Sequence, residues 1–209
     1  MTQTDEVWPP VKIPTDQATR RRFALETGNR VFSDIVCLAA LGGRQCEVQQ
    51  GAGIDATSTI GSYTYIGFHS FVMRSEVGRY CSIANNVSIG PSEHNLAGIS
   101  TSGHFADNTF ERCTEKPCAI GSDVWIASSC VVRRGVTMGH GSVLGANSFL
   151  NSDLPPYAIA VGTPARILRY RFREEQIAVL LASKWWELEL EEARKAQEEL
   201  RVRMGLGGR

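Results

Sequence analysis

Between Ile120 and Leu150 an aliphatic residue or Met returns at every sixth position: Ile120, Ile126, Val132, Met138, Leu144 and Leu150. A helix repeats its face every ~3.6 residues and a strand every ~2, so this period belongs to neither. A hexapeptide repeat fits a parallel β-helix, in which three short strands make one triangular coil. Each repeat sends one aliphatic inward, and a small residue behind it lets the chain turn the corner. Gly121, Gly139, Gly145 and Ala127 stand directly behind four of the six. Coils stacked one strand spacing apart, roughly 4.8 Å, align the aliphatics into interior ladders.

The period is present earlier. Val48, Ile54, Ile60 and Ile66 are spaced by six, with Gly61 and Gly67 behind the last two. After a slip it resumes at Val77, Ile83 and Ile89, with Gly78 and Gly90 behind the outer pair. Residues 90–119 carry no repeat and are rich in Gly, Ser, Thr and His. They are expected to form a loop extruded from the solenoid, and loops of that length are functional or disordered. The expected division is therefore an N-terminal segment (1–47), a β-helix (48–162) interrupted by loop 90–119, and a C-terminal helical segment (163–209).

The ends read differently from the middle. Thr15 is placed to cap a short helix running through Glu26 and stopping at Gly28, with Arg20 to Arg22 facing solvent. Leu154-Pro155-Pro156 breaks the repeat and Val161-Gly162-Thr163-Pro164 turns the chain away. From about Phe172 to Arg203 the pattern is helical, in one or two pieces, with Trp185-Trp186 near the join. The Trp pair is expected to dock that helix on the solenoid or on a partner chain rather than to touch a ligand.

Lys plus Arg and Asp plus Glu balance at 22 each and no basic block stands out. That balance argues against nucleic acid or an anionic membrane as the main partner. No apolar run approaches the ~20 residues of a membrane-spanning helix, and the polar Met1 to Pro10 does not read as a signal peptide. Six cysteines (Cys37, Cys46, Cys81, Cys113, Cys118, Cys130) show no C-x-x-C pairing. They point to a reduced, cytoplasmic setting and not to metal ligation, with Cys81 and Cys130 packing inside the repeats.

A base for chemistry near neutral pH is most simply a histidine, and there are four. His140 lies in Gly139-His140-Gly141, a repeat corner, and is expected to be a solvent-exposed turn residue. His69 lies in a repeat and is expected to point outward. His104 lies deep in the loop. His94 follows Ile89 by five residues, where rigid coil gives way to loop. That junction can hold a base firmly and still cover a substrate, so His94 is the leading candidate. A zinc site would need a close His pair plus a third ligand. The ten residues of Gly/Ser-rich loop between His94 and His104 do not preorganise one, so no metal is expected.

The run from Ile120-Gly-Ser-Asp-Val-Trp125-Ile to Gly162-Thr-Pro-Ala-Arg166 resembles the hexapeptide acyltransferases, which form left-handed parallel β-helices, an exception to the right-handed crossover rule. Three further features resemble the branch that acetylates the hydroxyls of xenobiotics such as chloramphenicol and streptogramins. They are Val77-Gly-Arg-Tyr-Cys-Ser-Ile83, His94 followed by Ser100-Thr101 and Phe105, and Arg171-Phe172-Arg-Glu-Glu with Leu180-Leu181 and Lys184-Trp185-Trp186. The resemblance covers about Ile60 to Glu187. It implies direct, acetyl-CoA-dependent transfer to a small-molecule hydroxyl acceptor in a homotrimer whose sites lie in the clefts between chains.

Residue by residue, the resemblance makes His94 the general base. Ala97 stands where many members have Asp. Asp123 to Ser128 matches a family segment, with Ala127 for its Gly, which places Ser128 near the thioester. One coil later Ala146 would line the pantetheine groove. Asn151 and Ser152 occupy positions where relatives often carry Thr-Lys, so one cationic contact is missing. Arg166 and Arg169 match basic residues expected near the adenosine phosphates, where guanidinium geometry suits bidentate contact. Trp125 either contacts the cofactor or packs on a neighbouring chain. Two other readings stay open: acetylation of a sugar or surface-polysaccharide precursor, and a catalytically silent trimeric scaffold. Residues 1–59 match the drug-acetylating members poorly.

Overall fold

The structure, a computed structural model, describes residues 17–105 and 109–206. Its strands are two to six residues long and pair into three flat ladders, the faces of a triangular parallel β-helix. The first face stacks Arg30–Val31, Glu47–Val48, Tyr65–Ile66, Ser82–Ile83, Trp125–Ile126, Val143–Leu144 and Ala158–Gly162 in parallel. The second stacks Ile35–Val36, Gly53–Ile54, Phe71–Val72, Ser88–Ile89, Val131–Val132 and Phe149–Leu150. The third stacks Thr59–Ile60, Ser75–Val77, Cys118–Ile120 and Thr137–Met138.

In almost every rung the second residue of the pair points inward, so the hexapeptide aliphatics form the core. Val48, Ile66, Ile83, Ile126 and Leu144 make one buried ladder; Ile54, Ile89, Val132 and Leu150 belong to the next. Each such side chain contributes roughly 1.5–3 kcal/mol by leaving water. The slip in the period lies one rung later than the sequence suggested. Val72 fills the rung after Ile66, and Val77 follows only five residues on.

The expected start of the solenoid at residue 48 moves back to Arg30. Arg30–Val31 pairs with Glu47–Val48, and Ile35–Val36 with Gly53–Ile54. The inward Val31 and Val36 are five residues apart, so this coil falls out of the six-residue period while keeping its ladder contacts. Ahead of it, helix α1 (Gln17–Thr27) ends at Gly28, which has φ +72°. Arg21 and Arg22 are exposed as expected, whereas the Thr15 cap falls outside the described residues.

Corners are closed by small hydroxyl and thiol side chains. Cys46, Cys81 and Cys130 each donate to a carbonyl of the adjacent coil, those of Gly61, Gly121 and Gly145, at 3.2, 3.1 and 3.0 Å. Thr64 and Ser70 do the same to Gly78 and Ala84. The repeat cysteines are thus corner donors. Burial pushes the Cys81 thiol up to about 12, which removes it as a nucleophile.

After the last parallel strand the chain reverses, and Ala165–Tyr170 lies antiparallel on Ala158–Gly162. Two helices follow, α2 having occurred earlier in the loop (Thr109–Cys113): α3 (Glu174–Ser183) and α4 (Leu190–Arg203), joined through a 3-10 turn at Trp185–Glu187. Both Trp residues are buried against the corner between the third and first faces. Trp185 packs on Tyr80, and Trp186 stacks on His140. The docking role expected of the pair holds. His140, expected to be solvent-exposed, is half-buried beneath that indole, and its Nδ1 accepts the Ser122 N–H at 2.9 Å.

Candidate functional site

The chemistry-bearing residues gather around the second face. Its strands run from an edge shared with the first face to an edge shared with the third. Ser128 and Ala146 stand exposed on the first of these edges, at the starts of the turns into Val131–Val132 and Phe149–Leu150. The edge is a continuous column. The Ser128 carbonyl accepts the Asn147 N–H (3.0 Å), and the Asn147 carbonyl accepts the Thr163 hydroxyl (3.1 Å). Thr163 leads into Ala165–Tyr170, whose exposed Arg166 and Arg169 lie beyond the last coil. Each donates to the carbonyl of an adjacent residue, Ala165 and Tyr170 respectively, and neither has a carboxylate partner among the described residues.

Asn151 and Ser152 do not share that column. They stand at the opposite ends of the same strands, beside a polar hollow of about 540 Å³ shared with Glu93, Lys116, Arg133 and Arg134. Sequence reasoning grouped them with Ser128 and Ala146; the structure separates them by the width of the face. Trp125 is on the outer side of the first face between Ser82 and Val143, half-exposed. A face flanked from both edges is a strip, and a second wall is needed to make it a groove.

The loop leaves at Gly90, from the edge that carries Asn151, and returns at Cys118. His94 lies four residues along it, exposed. Its Nδ1 is 2.7 Å from the Thr101 carbonyl oxygen. A carbonyl only accepts, so Nδ1 carries a proton, and of the two neutral tautomers this bond selects the one with its lone pair on Nε2. Leu96, Ile99 and Phe105 lie on the same loop and are strongly exposed. His69 is exposed on a corner of the first face, and His104 sits in a short 3-10 turn without being buried.

Sequence reasoning did not single out Arg133-Arg134. Arg134 is buried, burial lowers its pKa, and every hydrogen-bond acceptor of its guanidinium is a backbone carbonyl. The available signal was position: a buried donor is needed wherever a long excursion leaves and rejoins a solenoid.

The period-six ladders, the extruded loop and the edge column define a hexapeptide-repeat β-helix protein. The family profile described as "Bacterial transferase hexapeptide (six repeats)" matches residues 117–152. The chain is 34% identical over 133 residues to a chloramphenicol acetyltransferase of Escherichia coli, covering 57% of this chain and 62% of that protein. It is 32% identical over 124 residues to a probable macrolide acetyltransferase of Lysinibacillus sphaericus, covering 53% of this chain and 67% of the relative. A solved hexapeptide-repeat-containing acetyltransferase of Vibrio cholerae matches with a TM-score of 0.50 at 26% identity, over 78% of this chain and 85% of that one. The chain belongs to the hexapeptide-repeat acyltransferases. It spans about three-fifths of the length of the chloramphenicol acetyltransferase it matches.

Proposed function

We propose that the protein is an acetyl-CoA-dependent O-acetyltransferase that transfers acetyl directly to a hydroxyl of a small molecule, with His94 as general base. The observation that carries this reading is the Nδ1–H···O=C bond from His94 to Thr101, which leaves Nε2 free at the root of an exposed loop. The relatives acetylate chloramphenicol and, by description, macrolides. A hydroxyl of an antibiotic such as chloramphenicol or streptogramin A is therefore the acceptor class proposed.

The residues fit the co-substrate. The edge column offers backbone groups in register from Ser128 through Asn147 to Thr163, and Arg166 and Arg169 continue it with two guanidiniums free of carboxylates. Acetyl-CoA supplies the activated acetyl group as its thioester. Nε2 of His94 takes the hydroxyl proton as the acceptor oxygen bonds to the carbonyl carbon, and returns that proton to the departing sulfur. The proposed oxyanion donor is Ser128, a role worth about 3–4 kcal/mol; standing on the edge of the second face opposite the loop root, it would serve the His94 of a neighbouring chain in the trimer. The transfer is proposed as direct, without an acyl-enzyme, and the corner thiols Cys46, Cys81 and Cys130, all raised by burial, are not used as nucleophiles.

A homotrimer supplies the missing wall. Ile35 and Phe71 are exposed on the outer ladder of the second face, which suits packing against another chain. Among the described residues no helix is long and apolar enough to cross a membrane. The six free cysteines support a reducing, cytoplasmic setting.

The test is thiol release from acetyl-CoA by the purified chain with chloramphenicol, streptogramin A and nucleotide sugars as acceptors. Turnover on a drug that vanishes in His94→Ala supports the reading. Turnover only on nucleotide sugars moves the acceptor to surface-glycan precursors. Absence of acetyl-CoA binding rejects the enzyme and leaves a scaffold.

A further inference from the structure

All five N–H groups of the Arg134 guanidinium are used, and every acceptor is a backbone carbonyl. Nε donates to Pro91 at 3.3 Å; Nη1 to Thr114 and Lys116 at 3.1 and 3.2 Å; Nη2 to Met73 at 3.2 Å and, still closer, to Gly90. Gly90 and Pro91 are where the loop leaves the solenoid, and Thr114 and Lys116 are where it comes back. Met73 lies on the coil beneath. One planar group therefore ties both strands of the loop's root to each other and to the β-helix. Only a guanidinium has five donors in a fixed fork that spans such a ring of acceptors.

A second tie lies outside the first. Arg133 Nε reaches Glu93 Oε1 at 2.5 Å, and the Glu93 N–H donates to the Cys113 carbonyl at 2.9 Å. Glu93 immediately precedes His94. The path from rigid coil to imidazole is thus Arg134 to Gly90 and Pro91, then Arg133 to Glu93, then His94 held from behind by Thr101. Between Gly90 and Thr101 no other side chain from the solenoid is seen to bond the loop among the described residues.

We propose that Arg134, assisted by Arg133, is the positioning residue for the base: it fixes the loop root and thereby the orientation and tautomer of His94. This rests on His94 being the base proposed above. Arg134 touches neither co-substrate nor acceptor, so its effect falls on how well His94 is aligned. A misplacement of about 1 Å in a catalytic group can cost on the order of 10²-fold.

The test is Arg134→Lys in the full chain, read by nitrogen NMR of labelled histidines, with the His94 signals assigned by their loss in His94→Ala. The wild-type imidazole is expected as the Nδ1–H tautomer; the variant, as a mixture of both, with amide exchange speeding up across 91–116 and not in the coils. With chloramphenicol, kcat is expected to fall roughly tenfold or more while KM for acetyl-CoA stays unchanged. Arginine restored at 134 returns all three. An unaltered His94 tautomer and unaltered kcat in folded Arg134→Lys would overturn the proposal. If that variant does not fold, exposed Glu93→Ala, which removes the acceptor of Arg133 Nε, carries the test of the same path: a shift toward mixed tautomers supports it, and no shift overturns it. Full transfer by His94→Ala would instead remove the base assignment, while the tautomer result would stand by itself.

Discussion

The imidazole of His140 lies flat on the indole of Trp186, their centroids 4.3 Å apart and their planes 18° from parallel. That contact, with the Ser122 N–H bonding His140 Nδ1, joins the C-terminal helices to the solenoid corner through a neutral ring. Burial holds the His140 pKa below its ordinary value. The folded state thus resists protonation more than the unfolded chain does. Its contribution is fully present above the ordinary histidine range, near ~6.5, and is lost as pH falls below it. Thermal unfolding compared at neutral and mildly acidic pH should show a lower midpoint in acid. His140→Phe keeps a ring on Trp186 and should flatten that difference; an undiminished acid loss would assign it to another group.

His94 is exposed, so replacing it removes chemistry and little packing. His94→Ala should lower acetyl transfer by about 10²–10⁴-fold with an unchanged unfolding midpoint. Transfer within about threefold of wild type would show that the proton goes elsewhere.

Arg166 and Arg169 lie one on each side of the exposed Ile167-Leu168 pair on the antiparallel strand. Substituting both with Ala should raise KM for acetyl-CoA. The rise should be smaller for a donor lacking the 3′-phosphate, because there is less charge for the guanidiniums to meet. Equal effects on both donors would mean the arginines do not read phosphate.

Gly90 has φ +63°, and a Cβ there would lie 2.6 Å from the Met73 carbonyl oxygen and 2.9 Å from Ser75 Oγ. The backbone strain of a left-handed Ala is roughly 1–2 kcal/mol, before any clash. Gly90→Ala should lower the unfolding midpoint by several degrees, about 2–4 °C for each kcal/mol in a chain of this size. A midpoint unchanged from wild type would show that the loop exit relaxes freely.

The ladders were legible because burial in this fold has a period and nothing else does: Ile126, Leu144 and Leu150 are inside for the same reason and in the same register. Where a coil has seventeen residues the reading faltered. Val31 and Val36 keep their ladder partners across a five-residue step that a six-residue search skips. His94 could be placed because it follows the last regular rung before the loop. Arg134 could not, since nothing in its neighbours along the chain marks it, and only the return of the loop over it makes it a buried hub. His140 failed for the same reason, its surroundings being set by Trp186, forty-six residues later in the chain.

The antiparallel strand Ala165–Tyr170 has a consequence beyond carrying two arginines. A stack of parallel rungs is an open template, since each terminal strand offers unpaired amides and carbonyls on which another molecule could continue the ladder into a fibre. On the first face that continuation is blocked at one end. The reversed strand breaks the parallel register, with a bulge at Ile159/Ala160, and it carries the exposed Arg166 and Arg169. Charged side chains and a bulge on an edge strand disfavour edge-to-edge pairing, so a terminal hairpin of this kind discourages the stack from continuing into a second molecule.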